Sequence, residues 1–468
     1  MVMAKAYQKY KDAKLTWLEK MPEGWQILRG KAVFRCIDMR SKDGSEELLS
    51  VSSKDGVVPR SSKKITMFMA ESYAGYKLCW PGDLVINSLW AWMFGLGFSR
   101  HHGIVSSAYG VYRTRSQYLD HWQYFDYLIR SKAYAWELRV RSRGVWTSRL
   151  QMTDDRFLDM PILIPPKEEA IEIVKFLSVL DIQIRRYIRE KQKVIKLLNE
   201  QRQSIINRAV TRGIDSNAKF KSSEIDWIGD VPDHWVVKPL KFWVKINQDV
   251  LSEDTDENFE FHYLDIGSVG TGILDRTPEK LIFGNAPSRA RRILKEGDTI
   301  ISTVRTYLKA VYFISQKTEN LIASTGFAVL TPCANVYPEF LSLVIQSNSF
   351  VEQVTANSIG VTYPAIAETK LGALHIAMPP DMSEQVRIVE DIKSKTMTYD
   401  EMIAGLKNEI AFIDEYRTRL ISDAVTGKID VRDIKLPEIR DITDSESIEE
   451  QESLEDVEDT EEVVNADE

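Results

Sequence analysis

A long helical stretch that occurs twice constrains the fold of this chain more than any other feature. The first copy follows Pro165–Pro166 and runs from Lys167 to Asp215; the second follows Pro379–Pro380 and ends at Asp430. Neither copy contains an internal proline, and apolar residues recur in both at alternating spacings of three and four. That spacing places one narrow stripe on one side of a helix, as in a coiled-coil seam. The sequence therefore predicts two long helices that pack as an antiparallel pair within one chain.

The two stripes are made of mainly apolar residues with few polar interruptions. In the second copy the stripe consists of Val389, Ile392, Thr396, Tyr399, Ile403, Leu406, Ile410, Ile413, Arg417 and Leu420. In the first copy it consists of Ile173, Leu177, Leu180, Ile184, Ile188, Ile195, Leu198 and Ile205, with Lys191 as a polar interruption. A stripe of this kind is usually core, so any partner surface is expected on the opposite faces of the helices.

The duplication continues outside the helices. Trp17 precedes Trp25 by eight residues with Pro22 between them, and the same arrangement recurs 210 residues later in Trp227–Trp235. Tryptophans that flank a proline at this spacing are typical of an extended segment held by aromatic anchors. We expect structural anchoring here rather than stacking on a base.

Shorter matches follow in the same order in both halves. Gly82-Asp83 and Gly297-Asp298 each lead into β-branched or apolar residues, which indicates a turn before a strand. The segments 104–112 and 322–330 are both strand-like, and Arg143-Gly144-Val145 falls opposite Ile359-Gly360-Val361. Many ordered matches at one period identify a tandem duplication.

The predicted fold class is α+β, with two tandem globular α/β domains joined by two long helices and related by an approximate two-fold axis. The predicted segments are a first domain at 1–166, a first helix at 167–215, a second domain at 216–380, a second helix at 381–430 and a tail at 431–468. Because each helix carries the chain to the far end of the pair, a repeat in sequence becomes a two-fold in space.

The net charge of −8 hides two oppositely charged regions. From Glu438 onward there are 15 acidic residues against a single Arg440, so the remaining chain carries a net charge of +6. A body that is mildly basic is compatible with nucleic-acid binding, and a tail with dense like charge and no aromatic residue is predicted to be disordered. We expect the tail to aid solubility; the alternative is competition with DNA phosphate for basic faces.

Composition also predicts a soluble cytoplasmic protein. No apolar run reaches the roughly 18 residues that a membrane-spanning helix needs. The N-terminal residues carry no apolar signal-peptide region. Three scattered cysteines, Cys36, Cys79 and Cys333, fit neither a disulfide framework nor a zinc site.

Motifs for independent catalysis are missing from the sequence. It contains neither a Gly-x4-Gly-Lys-Ser/Thr phosphate loop nor an Asn/Asp-Pro-Pro-aromatic motif. Gly95-Leu96-Gly97 is only a fragment of a dinucleotide-binding loop, and His101-His102 has no third ligand at metal spacing. We therefore expect no catalytic residues and no metal site in this chain.

Four features together resemble the specificity subunit of type I restriction–modification enzymes. They are the paired Trp-x7-Trp segments, the Gly-Asp turns, the Ser-Thr-Gly-Phe strand at 324–327 and the Ala-Val-Thr helix endings at 209–211 and 424–426. The resemblance spans about Tyr10 to Asp430. It implies two target recognition domains that each read one half of a split, asymmetric site in double-stranded DNA, with helices that fix the unread gap.

The same resemblance implies particular partners and cofactors. The subunit would dock two modification (methyltransferase) subunits and, through them, the restriction/translocase subunits. S-adenosylmethionine, ATP and Mg²⁺ would be bound by those partners, so no cofactor is expected in this chain. The rival hypothesis is a duplicated, non-catalytic protein–protein scaffold that does not bind DNA, which the modest charge of the body leaves open.

Candidate DNA-contacting residues lie near predicted strand ends and in basic clusters. Arginine can bond guanine in two places through O6 and N7, whereas lysine more often contacts phosphate. The second domain contributes Arg305, Tyr307 and Lys309 after a strand, and Arg289 and Arg292 from a basic cluster. The first domain contributes Asn87, Ser88 and Trp90 at the matching strand end, then Arg100 and His101, and finally Arg143 and Arg149 flanking a predicted loop. Surface solvation is an equally simple reading of the arginine clusters.

Overall fold

The computed structural model describes residues 5–62, 72–144, 150–360 and 364–436, so the acidic tail predicted from its charge lies outside the described residues. The chain divides into two compact units. Unit 1 comprises Met1–Lys191 with Asn408–Glu468, and unit 2 comprises Gln192–Lys407. Both divisions fall inside the long helices. The architecture is α+β, as predicted.

Unit 1 is built mainly from short antiparallel strands. In chain order its elements are β1 (Tyr10–Leu15), β2 (Leu18–Pro22), β3 (Gln26–Arg29), α1 (Gly30–Val33), β4 (Phe34–Cys36), β5 (Leu49–Ser52), β6 (Gly56–Pro59), β7 (Lys77–Cys79), β8 (Asp83–Ile86), β9 (Leu96–Phe98), β10 (Gly103–Val105), β11 (Gly110–Thr114), α2 (Trp122–Ile129), α3 (Ala135–Arg141), α4 (Asp154–Leu158), β12 (Pro161–Ile164) and the start of α5 (Lys167–Arg212). Its largest sheet has the order β4-β11-β8-β9, and β8 is buried along its whole length.

Unit 2 repeats this plan, and its described residues form two four-stranded sheets. After the remainder of α5 it contains β13 (Phe220–Ser222), β14 (Asp230–Pro232), β15 (Val236–Pro239), β16 (Val244–Ile246), β17 (Glu260–Leu264), β18 (Glu279–Ile282), β19 (Ala290–Ile293), β20 (Thr299–Ser302), β21 (Val311–Phe313), β22 (Leu321–Ser324), β23 (Phe327–Pro332), α6 (Pro338–Ile345), α7 (Asn348–Ala356), α8 (Glu368–Ala373), β24 (His375–Met378) and the start of α9 (Met382–Val425). The sheet β16-β23-β20-β21 corresponds to the largest sheet of unit 1.

The strand-like segments 104–112 and 322–330 are each two strands rather than one. In unit 2, β22 pairs with β17 and β19, whereas β23 pairs with β16 and β20 in another sheet. Gly326 lies at the change of sheet, where an added Cβ would lie 2.3 Å from Ile266 Cδ1. The close approach of Ile266 therefore requires glycine at this corner, and an apolar run alone does not reveal such a corner.

The tryptophan anchors are structural, as predicted for Trp25 and Trp235. Both are fully buried. Trp25 Nε1 donates a hydrogen bond to Glu169 in the first turn of α5 at 2.7 Å, and Trp235 Nε1 donates to Glu384 in the first turn of α9 at 3.0 Å. A buried indole keeps its N–H satisfied in this way, and each hydrogen bond fixes where a long helix begins.

The same anchors receive the ends of the long helices. Gly427 after α9 has φ +70° and packs on Pro22 and Trp25, while Gly213 after α5 has φ +70° and packs on Trp235. Glycine is favoured here because the left-handed backbone ends each helix. Each anchor thus holds the start of one long helix and the end of the other.

The long helices contact each other within each unit through the predicted stripes, whose members are buried or half-buried. In unit 1, Asp181 of α5 pairs with Arg417 of α9, and Lys191 Nζ lies 3.1 Å from Glu409. These contacts advance along α5 as they retreat along α9, so the helices run antiparallel in this unit. In unit 2, Arg202 pairs with Asp400 at 2.8 Å. The two charged members of the stripes, Lys191 and Arg417, are therefore ion-paired.

Candidate nucleic-acid interface

Each unit presents one hairpin loop, and the two loops share their closing hydrogen bond and a 3-10 turn. The first hairpin loop, residues 87–95, joins β8 to β9, and the second hairpin loop, residues 302–310, joins β20 to β21. Asn87 N donates to Gly95 O at 2.8 Å, and Ser302 N donates to Ala310 O at 2.9 Å. Both loops contain a single 3-10 turn that ends in a residue with left-handed backbone. The predicted correspondence between the two segments is therefore a correspondence in structure.

Matched side-chain and backbone hydrogen bonds hold both loops against the neighbouring strands. Ser88 Oγ donates to Ala108 O at 3.0 Å, and Thr303 Oγ1 donates to Gly326 O at 2.8 Å. The backbone N–H of Met152 bonds the carbonyl of Ser88, and that of Ile366 bonds the carbonyl of Thr303, both at 2.9 Å. The loop backbone is thus fixed from two sides, which favours preorganised binding.

A second segment closes beside each hairpin loop. In unit 1 the backbones of Arg143 and Gln151 pair, and in unit 2 those of Ile359 and Ala365 pair. The residues between them at 145–149 and 361–363 lie outside the described residues, so the predicted contact Arg149 has no described position. The match predicted between Arg143-Gly144 and Ile359-Gly360 is confirmed by these paired bridges.

The exposed side chains of the first hairpin loop are apolar. Leu89, Trp90 and Met93 are exposed, and the loop has no charged residue. The Trp90 and Trp92 rings lie 6.3 Å apart at 11°, and Trp92 Nε1 donates to Leu89 O at 3.1 Å. This internal hydrogen bond holds the second indole and leaves an apolar face at the loop tip.

The second hairpin loop combines cationic and aromatic side chains. Arg305, Tyr307 and Lys309 are exposed, and Arg305 and Lys309 both have left-handed backbone at φ +50° and +51°. Thr306 Oγ1 lies 2.9 Å from Ser358 Oγ of the neighbouring segment, which ties the buried side of the loop down. The three residues predicted here therefore share one short, anchored loop that points its charged side chains outward.

A buried aspartate lies at the start of each hairpin, Asp83 in unit 1 and Asp298 in unit 2, and its side-chain partner differs between the units. Asp83 Oδ1 lies 2.7 Å from Arg113 Nε, and Asp298 Oδ1 accepts a hydrogen bond from Thr331 at 2.6 Å. In both turns the second carboxylate oxygen accepts a backbone N–H from three residues earlier. Burial raises the pKa of the Asp298 carboxyl above its ordinary value, and the hydrogen bond that Arg113 donates to Asp83 raises the pKa of the Arg113 guanidinium.

The other predicted contacts in unit 1 are distributed unevenly. Asn87 lies in the loop, but its Nδ2 donates to Tyr109 OH at 3.1 Å, and the Ser88 hydroxyl is bonded internally, so both side chains help to hold the loop in place. Arg143 is exposed beside the loop. Arg100 and His101 follow β9 and therefore lie at the opposite end of the β8–β9 hairpin. Because strand pairing separates the two ends, the structure does not bring them to the loop.

The basic cluster of unit 2 is also divided. The carbonyl of Arg289 accepts the N–H of Thr325 at 2.8 Å, next to the Gly326 carbonyl that Thr303 bonds, so Arg289 lies close to the second hairpin loop. Arg292 lies further along β19, where it is half-buried and pairs through its backbone with Val250. The loop site of unit 2 thus consists of Arg305, Tyr307 and Lys309, with Arg289 nearby.

Sequence reasoning missed the exposed apolar residues near Trp90. Leu89 and Met93 flank it, and α3, which packs against the 3-10 turn, carries exposed Trp136 and Val140. These two are four residues apart and share one face of α3. The signal was present as large apolar residues in a short helix, but exposure cannot be read from that pattern.

Metal-binding and membrane-spanning features are not found in the part of the chain that the structure describes. No group of three or more His, Cys, Asp or Glu side chains there could hold a metal ion. None of its helices combines the length and the apolar character that a bilayer span requires. An open cavity of about 990 Å³ in unit 2 is lined by the end of α5 together with Phe220, Asn348 and Lys395.

Comparison with known proteins agrees with this architecture. Residues 233–411 match the type I restriction modification DNA specificity domain. At the level of whole chains, the protein is similar to type I restriction enzyme specificity subunits, so the resemblance inferred from the repeats is confirmed. The MjaVIII specificity subunit of Methanocaldococcus jannaschii is 24% identical over 433 residues, which cover 89% of this chain and 95% of that protein.

Two further relatives extend this finding. The putative MjaX specificity subunit of the same organism is 23% identical over 461 residues, covering 92% of this chain and 100% of that protein. A solved structure that concerns the structural basis of complex assembly and conformational transition of the type I R-M system matches with a TM-score of 0.56 and 17% identity. It covers 87% of this chain and 99% of that one, and the likeness concerns the fold.

Proposed function

We propose that this chain is the DNA-reading subunit of a type I restriction–modification complex and recognises a split, asymmetric site. Each unit reads one half-site through its hairpin loop. The observation that carries the proposal is the pair of hairpin loops, which share backbone hydrogen bonds but differ in every exposed side chain. A shared frame with exchanged side chains is expected of two modules that read different bases with one docking geometry.

The long helices would set the distance between the two half-sites. They pair as an antiparallel coiled coil in this proposal, with an approximate two-fold that inverts one unit with respect to the other. The support is local: the opposed ion pairs of α5 and α9 in unit 1, and the anchoring of each helix start on a buried tryptophan. A spacer that begins and ends at fixed points would hold the unread gap constant.

Partner subunits would dock on the outward faces of the same helices. Phe412 is 70% exposed, and Leu197, Met397 and Met402 are also exposed on α5 and α9. Large apolar side chains exposed on helices commonly mark interaction sites. We propose that two modification subunits bind these faces and supply S-adenosylmethionine chemistry, and that restriction subunits with ATP and Mg²⁺ join through them, leaving this chain without catalysis.

The test is genome-wide base-modification sequencing of the host with the gene intact, deleted and altered. Deletion is expected to abolish methylation at one split motif with a fixed gap. Replacing residues 26–160 with those of a related subunit should change one half of the motif and leave the other half and the gap unchanged. A swap that changed both halves together would contradict the modular reading.

A salt titration separates this function from a protein scaffold. DNA binding that neutralises phosphates releases counterions, so affinity should fall steeply as salt rises. The full chain with its modification subunits should show this slope on a duplex that contains the motif. A scaffold would bind no duplex at any salt concentration, and its deletion would leave the methylome unchanged.

A further inference from the structure

The structure assigns different base chemistry to the two hairpin loops: we propose that the first hairpin loop reads thymine methyl groups through Trp90. This inference rests on the proposed function and deepens it. It predicts that the half-site read by unit 1 contains a T·A pair at the position that Trp90 faces. The second hairpin loop, with Arg305 and Lys309, would instead read acceptor atoms such as those of guanine.

The first step is the equivalence of the loops. Because several matched backbone and side-chain hydrogen bonds hold both, residues at corresponding chain positions lie in corresponding parts of the two loops. In chain position Trp90 corresponds to Arg305 and Met93 to Leu308, each just before or within the 3-10 turn, although the backbone differs at the first pair, with φ −116° at Trp90 and +50° at Arg305. The loops therefore present different side chains from corresponding positions.

The second step is the chemistry that the first loop offers. It has no charged residue, and the indole N–H of Trp92 donates internally to Leu89 O, which leaves the ring of Trp90 as the exposed aromatic surface. In the major groove the only apolar feature that distinguishes base pairs is the C5-methyl group of thymine. An exposed, apolar, preorganised tip is complementary to that group, whereas the cationic second loop is complementary to guanine O6 and N7.

The third step is the position of the loop relative to positive charge. Arg143 is exposed on the bridged segment beside it, and Arg139 is exposed on α3, which packs against its 3-10 turn. Arginines on the rim of an apolar tip suit a ligand whose phosphates flank its bases. This arrangement favours DNA as the ligand of the first hairpin loop.

The experiment replaces thymine by deoxyuridine, which lacks only the methyl group. The duplexes carry the motif that base-modification sequencing identifies, and each thymine of the unit 1 half-site is exchanged in turn. Binding is measured with the full chain in its modification complex. We expect about a fourfold loss of affinity at the contacted position, the factor for one buried methylene-sized group. Exchange in the half-site read by unit 2 should have no comparable effect.

The variants connect that loss to Trp90. Trp90→Ala should weaken binding to the thymine duplex and make the protein indifferent to deoxyuridine, and Trp90→Phe should retain part of the discrimination. Trp227→Ala is the matched control, because both tryptophans are 46% exposed and Trp227 lies outside the hairpin loops. Thermal unfolding of each variant checks that the fold is kept.

Several outcomes would overturn the inference. Unchanged affinity for every deoxyuridine duplex, or equal deoxyuridine sensitivity in wild type and Trp90→Ala, would exclude methyl reading. A rise in 2-aminopurine fluorescence that depends on Trp90 would show insertion between bases instead. If methylation still occurs at a split motif in these cases, only this inference fails; if no split motif depends on the gene, the proposed function fails with it.

Discussion

Asp83 in unit 1 and Asp298 in unit 2 occupy the same turn before a buried strand, but their carboxylates have different side-chain partners. Asp83 faces Arg113, and Asp298 faces the hydroxyl of Thr331. The backbone of the turn needs a carboxylate at this position, since one oxygen caps the N–H of Trp80 or Lys295 in each copy. The comparison teaches that duplication preserved the frame, while the compensation of a buried charge differs between the copies.

The largest effect should come from removing the arginine of this pair. Arg113→Ala leaves Asp83 buried without its cationic partner, and breaking a buried ion pair costs about 3–5 kcal/mol. Amide hydrogen exchange measured during a urea titration should show this loss of stability in β8 and β11 of unit 1. The exchange protection of β20 and β23 in unit 2 should be unchanged. Asp83→Asn combined with Arg113→Met is the control and should recover part of the stability; equal losses in both units would contradict local compensation.

A second comparison sets the two helix-ending glycines against each other. An alanine Cβ at 427 would lie 2.4 Å from Pro22 Cδ, whereas at 213 the nearest atom is 3.5 Å away. Both substitutions strain a left-handed backbone by about 1–2 kcal/mol, and only Gly427→Ala adds about 1–3 kcal/mol of overpacking. Matched chemical denaturation of the two variants should therefore rank Gly427→Ala as the more destabilising. Equal destabilisation by the two substitutions would show that Pro22 shifts to admit the added methyl group at no cost.

The smallest effect concerns the neutral partner in unit 2. Thr331→Val removes one hydrogen bond to Asp298 and should cost about 1–2 kcal/mol. Because burial raises the folded-state pKa of Asp298, this carboxyl favours the folded state at pH values below its unfolded pKa and loses that contribution as pH rises through the folded pKa. The hydrogen bond from Thr331 lowers the pKa of Asp298 because it favours the ionised carboxyl, so the cost of Thr331→Val should be larger near pH 7 than at acidic pH.

A control tests whether Asp298 is the titrating group. In the background Asp298→Asn the extra pH dependence of Thr331→Val should disappear, as measured by unfolding at a series of pH values. A pH dependence that persisted without the carboxyl would assign it to another residue.

Order and periodicity were sufficient to predict the α+β class, the apolar stripes of the long helices and the buried anchors Trp25 and Trp235. Trp25 and Trp235 could be recognised because each is a large aromatic residue that follows a proline by three positions in both copies of the repeat. The partners could not be predicted: nothing local to Trp25 indicates Glu169, since that contact joins residues 144 positions apart. Trp227 shows the limit of the repeat argument, because Trp17 bonds Glu137 while its counterpart remains exposed.

The candidate interface was predicted less completely than the fold. The strand-end positions of Trp90 and Arg305 followed from the aligned Gly-Asp turns, and the structure places both in equivalent loops. Arg100 and His101 are close to Trp90 in sequence, but a hairpin sends adjacent segments to opposite ends. Which arginines accompany a loop depends on strand pairing between distant segments, and composition contains no information about that.

The anchoring of helix ends on tryptophans has a consequence for biosynthesis. Unit 2 is one continuous stretch, Gln192–Lys407, so it can close as soon as that stretch has left the ribosome. Unit 1 must wait for the last helix, because Gly427 packs on Pro22, Tyr124 OH bonds Val425 O and Asp430 N bonds Lys5 O. A nascent chain therefore holds an unfinished first unit beside a finished second one, and a premature stop before Val425 would leave the earliest-made residues as the ones that chaperones and proteases meet.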